Sequence, residues 1–183
     1  MAGGVGRSAW AVEWDARTVQ ARSADLAALL HACVHAGASI SFVLPFPPAE
    51  ASAWWTDVVA PLIAGRRRVL LVVEQEGQVL GAVQLDLDTP PNQAHRAGVT
   101  KLLVHPDARR RGLARHLMVA LHDIADQRGR TLITLDTTTG SPAQALYASL
   151  GYVRVGEIPD FAAHVLDGHL EPTTIMYRSL GHR

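Results

Sequence analysis

A chain of 183 residues, 48% hydrophobic and 19% charged, carries enough apolar side chain for one packed domain and too much for a disordered one. Its 17 basic residues balance 17 acidic ones, which argues against a broad nucleic-acid or anionic-membrane surface and confines any cationic site to a local patch. The single cysteine, Cys33, cannot form an internal disulfide, and neither the opening residues nor any later run has the apolar length of a secretory leader or a membrane span. A single cytoplasmic domain over residues 1–183 is the expectation, with its core over about 18–180.

Apolar residues at helical spacing (Leu26, Leu29, Leu30, Cys33, Val34) predict a helix over 22–36 that stops near Gly37. A proline-rich loop containing Ser39, Ser41 and Phe42 leads into a second periodic stretch, Ala49 to Ile63. Two apolar runs on either side of EQEGQ predict a β-hairpin of strands 68–74 and 78–88. "AGVTKLLVHP" is a further strand, closed by Pro106, after which Leu113, Leu117, Leu121 and Ile124 mark a helix ended by Gly129. "TLITLD", residues 131–136, is a strand, and Ser141-Pro142 opens a helix to about residue 150. "YVRVGEI" and "TTIMYRSL" are two last strands around a loop containing Pro159 and Gly168. Strands that alternate with helices and end in strands predict an α/β or α+β layered domain.

The segment "HPDARRRGLARHL" concentrates charge where a strand gives way to a helix. A helix start offers unpaired N–H groups and the positive end of the helix dipole, so it is a ready anion site. Gly112 and Ala114 keep the mouth of that site small, while Arg109, Arg110, Arg111 and Arg115 bring charge suited to phosphate oxygens. An ordinary basic turn ahead of a helix cap is the alternative reading.

Arg109-Arg110-Arg111-Gly112-Leu113-Ala114 resembles the acetyl-coenzyme A loop of the GCN5-related N-acetyltransferases: Gln or Arg, two residues, Gly, one residue, Gly or Ala. "PAQALYASLGYVRVGEI" is similar to a second feature of that family, in the same order along the chain. Within the family, "HAGASISF", "LDTTTGSPAQALYASLGYVRVGEIPDFA" and "TTIMY" look like the tabtoxin resistance acetyltransferases, which acylate the amine of a β-lactam amino acid. The resemblance implies a mixed, mostly antiparallel sheet of six to seven strands flanked by about four helices. In such a sheet two parallel strands, here 99–104 and 131–136, splay apart to admit the cofactor.

What the resemblance implies for residues follows. Backbone groups of Leu102, Leu103 and Val104 would hold the pantetheine arm of acetyl-CoA, and the turn from Arg109 to Arg115, including Gly112, Leu113 and Ala114, its pyrophosphate. Tyr147 matches the family's general acid; read from its helix alone it is a core tyrosine on one stripe with Ala143, Leu146 and Leu150. Asp136 ends a strand at the sheet edge, where it would bind the substrate ammonium or take its proton, or else cap the Thr137–Gly140 turn. The related pattern carries an acid on the preceding strand where this chain has Gly98, which leaves the base open; Glu157 and Asp160 are further candidates. Ser39, Ser41 and Phe42 lie where the family recognises its acceptor.

No metal is expected, since the nine histidines include no pair at HExxH spacing, and Cys33, read as a small buried hydrophobe in a helix far from either motif, is not placed to act as a nucleophile. The expected activity is direct transfer from acetyl-CoA to the primary amine of a small amino-acid-like molecule or antibiotic, with no nucleic-acid or membrane partner, by a monomer or homodimer. A protein N-terminal or lysine acetyltransferase, and a coenzyme A-binding regulator without turnover, are the rival expectations.

Overall fold

The computed structural model describes residues 11–181; the expectation that the first ten residues carry no leader lies outside them. Seven strands form one sheet in the order β1-β2-β3-β4-β5-β7-β6: β1 is Ala11–Trp14, β2 Arg68–Gln75, β3 Gln78–Asp86, β4 Arg96–Val104, β5 Leu132–Thr138, β6 Val153–Ala163 and β7 Leu170–Ser179. Only β4 and β5 pair in parallel. The expected mixed, mostly antiparallel sheet is therefore present.

β1 and helix α1 (Ala16–Ala21) occupy a stretch that periodicity left unassigned, because each is too short to show a pattern. Asp15 starts α1 by accepting from the Thr18 N–H at 2.8 Å. α2 (Ser23–His35) is the predicted first helix. The next helical body runs as α3 (Pro48–Ala53), a π-helical turn (Trp54–Val59) and α4 (Ala60–Ala64). Pro61 has no N–H and its ring crowds the preceding turn, so a widened turn before it relieves the clash. α5 (Leu113–Gln127) and α6 (Pro142–Ser149) complete the set.

The period of two along each strand divides the core into two layers. Leu70, Val72 and Ala82 face α2 and α3 together with Leu26, Leu30 and Trp55. Val69, Leu71, Val83 and Leu85 face the other way, against Leu117, Met118 and Leu121 of α5 and Tyr147 of α6. One correction concerns Pro159, which lies inside β6 and not in a loop. β6 is an edge strand with a register break between Ile158 and Ala162, where a missing N–H interrupts no central ladder.

Two irregularities shape the middle of the sheet. β4 carries one extra residue against β3: Gln84 pairs with Thr100, but Ala82 pairs with Leu103. Lys101 sits in this bulge with φ 54°. The parallel pairing of β4 with β5 covers only Arg96–Gly98 against Leu132–Thr134, and beyond it the strands diverge. No helix among the described residues is long and apolar enough to cross a membrane.

Candidate active site

The wedge between β4 and β5 opens where sequence reading expected strands 99–104 and 131–136 to part. A pocket of about 220 Å³ beside it is lined by Leu102, Leu103, Val104, Arg109 and Ala114, all expected to bind cofactor, and by Ala143 and Leu146 of α6. It brings the strand after the bulge, the arginine turn and the tyrosine-bearing helix to one place.

Cys33 lines the same pocket, which corrects the expectation that it stands apart. Its thiol donates to the Val104 carbonyl oxygen at 3.4 Å. Burial pushes the thiol up to about 11, although the Arg109 guanidinium beside it pulls the other way. The sequence separation of 71 residues concealed this contact, because only packing of α2 on the sheet creates it.

The arginine turn is built by two left-handed residues, Arg110 at φ 61° and Gly112 at φ 81°. Gly112 is the N-cap of α5, and no side chain among the described residues caps the helix there. A Cβ added to Gly112 would meet nothing within 4 Å, so the space in front of the first turn is open. An N-cap without a side chain leaves the first N–H groups of α5 directed at that space. Arg111 reaches back to Gln75 Oε1 at 2.6 Å and Arg115 across to Ser149 Oγ at 2.6 Å, holding the turn between β2 and α6. The first turn of α5 thus opens onto free space within a stretch that carries Arg109, Arg110, Arg111 and Arg115. Leu113 is half-buried and packs into the α5 layer.

Tyr147 is buried, its ring centroid 5.6 Å from that of Tyr152. Burial, and then the negative charge of Asp136, push its phenol far above the usual tyrosine range. Asp136 is exposed near the end of β5, and Thr173 of β7 donates to it at 3.5 Å. The two residues expected to work together are thus close enough to interact electrostatically. Glu157 pairs with Arg154 at 3.1 Å on the edge strand, and Asp160 sits in the β6 irregularity at φ 51°.

On the α2–α3 loop, Ser41 and Phe42 meet a residue that sequence reading missed. Lys101 donates to Ser41 Oγ at 2.8 Å and lies over the rings of Phe42 at 5.6 Å and Trp54 at 5.9 Å. Burial, and then the nearby Arg68, lower its ammonium to about 8, against the opposing pull of Asp136. No motif flags this lysine; a bulge in a strand leaves no mark on the sequence. Ser39 is exposed on the same loop, outside this cluster.

Among the described residues, one group brings ligand-type atoms together: His164, Asp167 and His169 on the β6–β7 loop. There both imidazole Nδ1 atoms contact Asp167 Oδ1, at 2.8 and 2.6 Å, which ties the loop together as a hydrogen-bonded turn.

A model of the acetyltransferase (GNAT) family matches residues 30–152. Human N-acetyltransferase 8 is 31% identical over 104 residues, 56% of this chain and 46% of that protein. An uncharacterized N-acetyltransferase in the hisH-hisA intergenic region of Azospirillum brasilense is 34% identical over 115 residues, 61% of this chain and 66% of that protein. The chain thus spans less than two thirds of the length of either. Salmonella typhimurium yncA, solved with its cofactor acetyl-CoA, shares the fold with a TM-score of 0.73 at 22% identity, over 94% of this chain and 95% of that one.

Proposed function

The chain belongs to the acetyltransferase (GNAT) family, and from that premise we propose that it transfers the acetyl group of acetyl-CoA to the primary amine of a small amino-acid-like acceptor. The observation that carries this reading is the wedge itself. β4 leaves β5 after Gly98, and the released strand lines a pocket shared with the start of α5 and with α6. The uncapped α5 terminus and its arginines suit a pyrophosphate, and the apolar walls Leu102, Leu103, Ala143 and Leu146 suit a pantetheine arm.

Acetyl-CoA, when bound, supplies an activated acetyl thioester. The chain's residues then have three tasks. Asp136, exposed at the wedge, orients the acceptor ammonium and takes its proton, directly or through water. The backbone of Leu102–Val104, released from β5, offers donors to the developing oxyanion. Tyr147 keeps its proton at every physiological pH, held there by burial, and delivers it to the departing sulfur. Cys33 is no nucleophile in this scheme, since its thiol is protonated and bonded to the Val104 carbonyl. Transfer therefore proceeds directly within a ternary complex.

By similarity to the tabtoxin resistance pattern, the acceptor class includes β-lactam amino acids, and the biological role is detoxification or self-protection. Free-thiol release from acetyl-CoA against amino acids, β-lactam amino acids, aminoglycosides, polyamines and peptides, beside calorimetric binding of acetyl-CoA, tests the reading. Turnover with a small amino-acid-like amine supports it. Turnover with peptides alone replaces it with a protein acetyltransferase, and binding without any turnover replaces it with a regulator.

A further inference from the structure

The face of the sheet turned toward α2 and α3 carries an arrangement of charge across the wedge that the transfer chemistry leaves unexplained. On the β4 side stands Lys101, raised out of the strand by the bulge and steadied by Ser41, Phe42 and Trp54. Arg68 of β2 reaches the same place through Gln84, which pairs in register with Thr100, the residue before Lys101. Arg68 donates to Gln84 Oε1 at 3.1 Å and to Asp86 Oδ2 at 3.0 Å, yet its Nε is buried without an acceptor. Gln84 is fully buried, and its Nε2 also has no acceptor. Buried donors without acceptors are costly and uncommon in folded proteins. Two of them beside a half-buried lysine mark a place prepared for an anion.

Opposite, on β5, stands Asp136. Gly98 and Thr134 are the last paired residues of the parallel strands; Lys101 lies three residues beyond on one arm and Asp136 two residues beyond on the other. The mouth of the wedge is therefore positive on its β4 side and negative on its β5 side. Tyr147 feels the charge of Asp136, which puts the amine-binding side next to the acid meant for the leaving sulfur.

Resting on the acetyl-transfer reading, we propose that Lys101, with Ser41 and the Arg68–Gln84 donor pair, forms a carboxylate subsite, so that the acceptor is a zwitterion lying across the wedge with its amine toward Asp136. Lys101 holds charge that a carboxylate complements and that a simple amine or polyamine would meet as repulsion, and Arg68, its charge shared with Asp86, adds a donor to it. Gly98 adds no acid on β4, and its register partner Asp86 is already engaged by Arg68 at 3.0 Å, which leaves the Lys101 charge for the ligand.

The test compares matched compounds: β-alanine, lysine and ornithine, each against its carboxamide and its decarboxylated amine. Free-thiol release gives kcat/KM for each, and calorimetry gives binding of each compound without requiring turnover. The wild type should prefer the acid over the carboxamide on the order of 10- to 100-fold, the range of one charge-assisted hydrogen bond. Lys101→Gln should collapse that ratio toward one, chiefly through KM, while acetyl-CoA binding stays unchanged. Lys101→Arg should restore the preference. Equal use and equal binding of acid and carboxamide by the wild type would overturn the subsite, as would a Lys101→Gln variant that lowers both by one factor. Failure to bind either member of any pair overturns it too. Absence of acetyl-CoA binding or of thiol release with every amine, while acids still bind better than carboxamides, would instead overturn the transfer reading and leave the subsite standing.

Discussion

The Cys33 thiol donates to the carbonyl oxygen of Val104 at 3.4 Å, across a pocket wall that both residues share with Arg109 and Ala114. Helix α2, whose apolar stripe fills the first core layer, thereby supports from behind the strand that leaves the sheet at the wedge. A residue that composition marks only as a small buried hydrophobe thus becomes part of the site wall.

That position makes Cys33 a test of the transfer route. With its thiol at about 11, only about 0.1% is thiolate at pH 8, and burial adds a steric barrier. Native protein should resist iodoacetamide at pH 8, and Cys33→Ser should retain most of the wild-type turnover. Loss of all turnover in the serine variant, with acetyl-CoA still bound, would point to an acyl-enzyme and against direct transfer.

Tyr147→Phe should lower kcat by about 100-fold, in the usual range for a lost general acid, without changing acetyl-CoA affinity. The ring stays within the α5–α6 core layer, so its melting temperature should move little. A variant with wild-type kcat would show that Tyr147 only packs.

Gly112→Trp separates the anion site from the fold. The position is left-handed and nothing stands within 4 Å of an added Cβ, so the conformational penalty is about 1 kcal/mol and the side chain projects into the space before α5. Acetyl-CoA binding measured by calorimetry should weaken by more than tenfold, while the conformational penalty falls on folding stability and not on affinity. Unchanged affinity would place the pyrophosphate elsewhere.

Arg178 donates to His122 Nδ1 at 2.7 Å, and because arginine can only donate, Nδ1 is unprotonated and Nε2 carries the hydrogen toward Tyr152 Oη at 3.0 Å. Burial, and then Arg178, depress this histidine to about 4, below its ordinary 6.5. The folded state therefore binds fewer protons than the unfolded chain between these values. Stability is full above pH 6.5 and falls as pH drops to about 4, by about 3 kcal/mol. Urea unfolding at pH 7 and at pH 4.5 measures it, and His122→Gln should flatten that fall. An equally steep fall in the variant would assign it to other groups.

Lys101 titrates in the opposite experiment. Its ammonium, lowered to about 8 by burial and by Arg68 against the pull of Asp136, is charged below that pH and neutral above it. Binding of an acid acceptor should hold steady from pH 6 to 8 and weaken above pH 8, while Lys101→Arg should keep it to higher pH. Calorimetry of β-alanine at pH 7 and pH 9.5 reads this directly; equal affinity at both would detach Lys101 from the carboxylate.

The part of the fold legible in the sequence was whatever repeats along the chain. α2, the β2–β3 hairpin and α5 declare themselves through apolar period, and α6 through Ser141 and Pro142 at its start. β1 and α1 are too short for any period to emerge, and the π-helical turn before Pro61 keeps the apolar spacing of an ordinary helix.

By itself, then, the sequence determined which residues go inside, where strands and helices alternate, and that cationic side chains crowd the start of α5, since burial pattern, capping and local charge are all written within a few neighbouring residues. Tertiary structure alone decided how far β4 stays paired with β5, that Cys33 backs the pocket wall, and that Lys101 and Asp136 stand on opposite arms of one wedge. The reason is physical: a bulge is a mismatch between two strands, and a charge pair across a cleft is a relation between distant residues, so neither exists until the sheet has assembled.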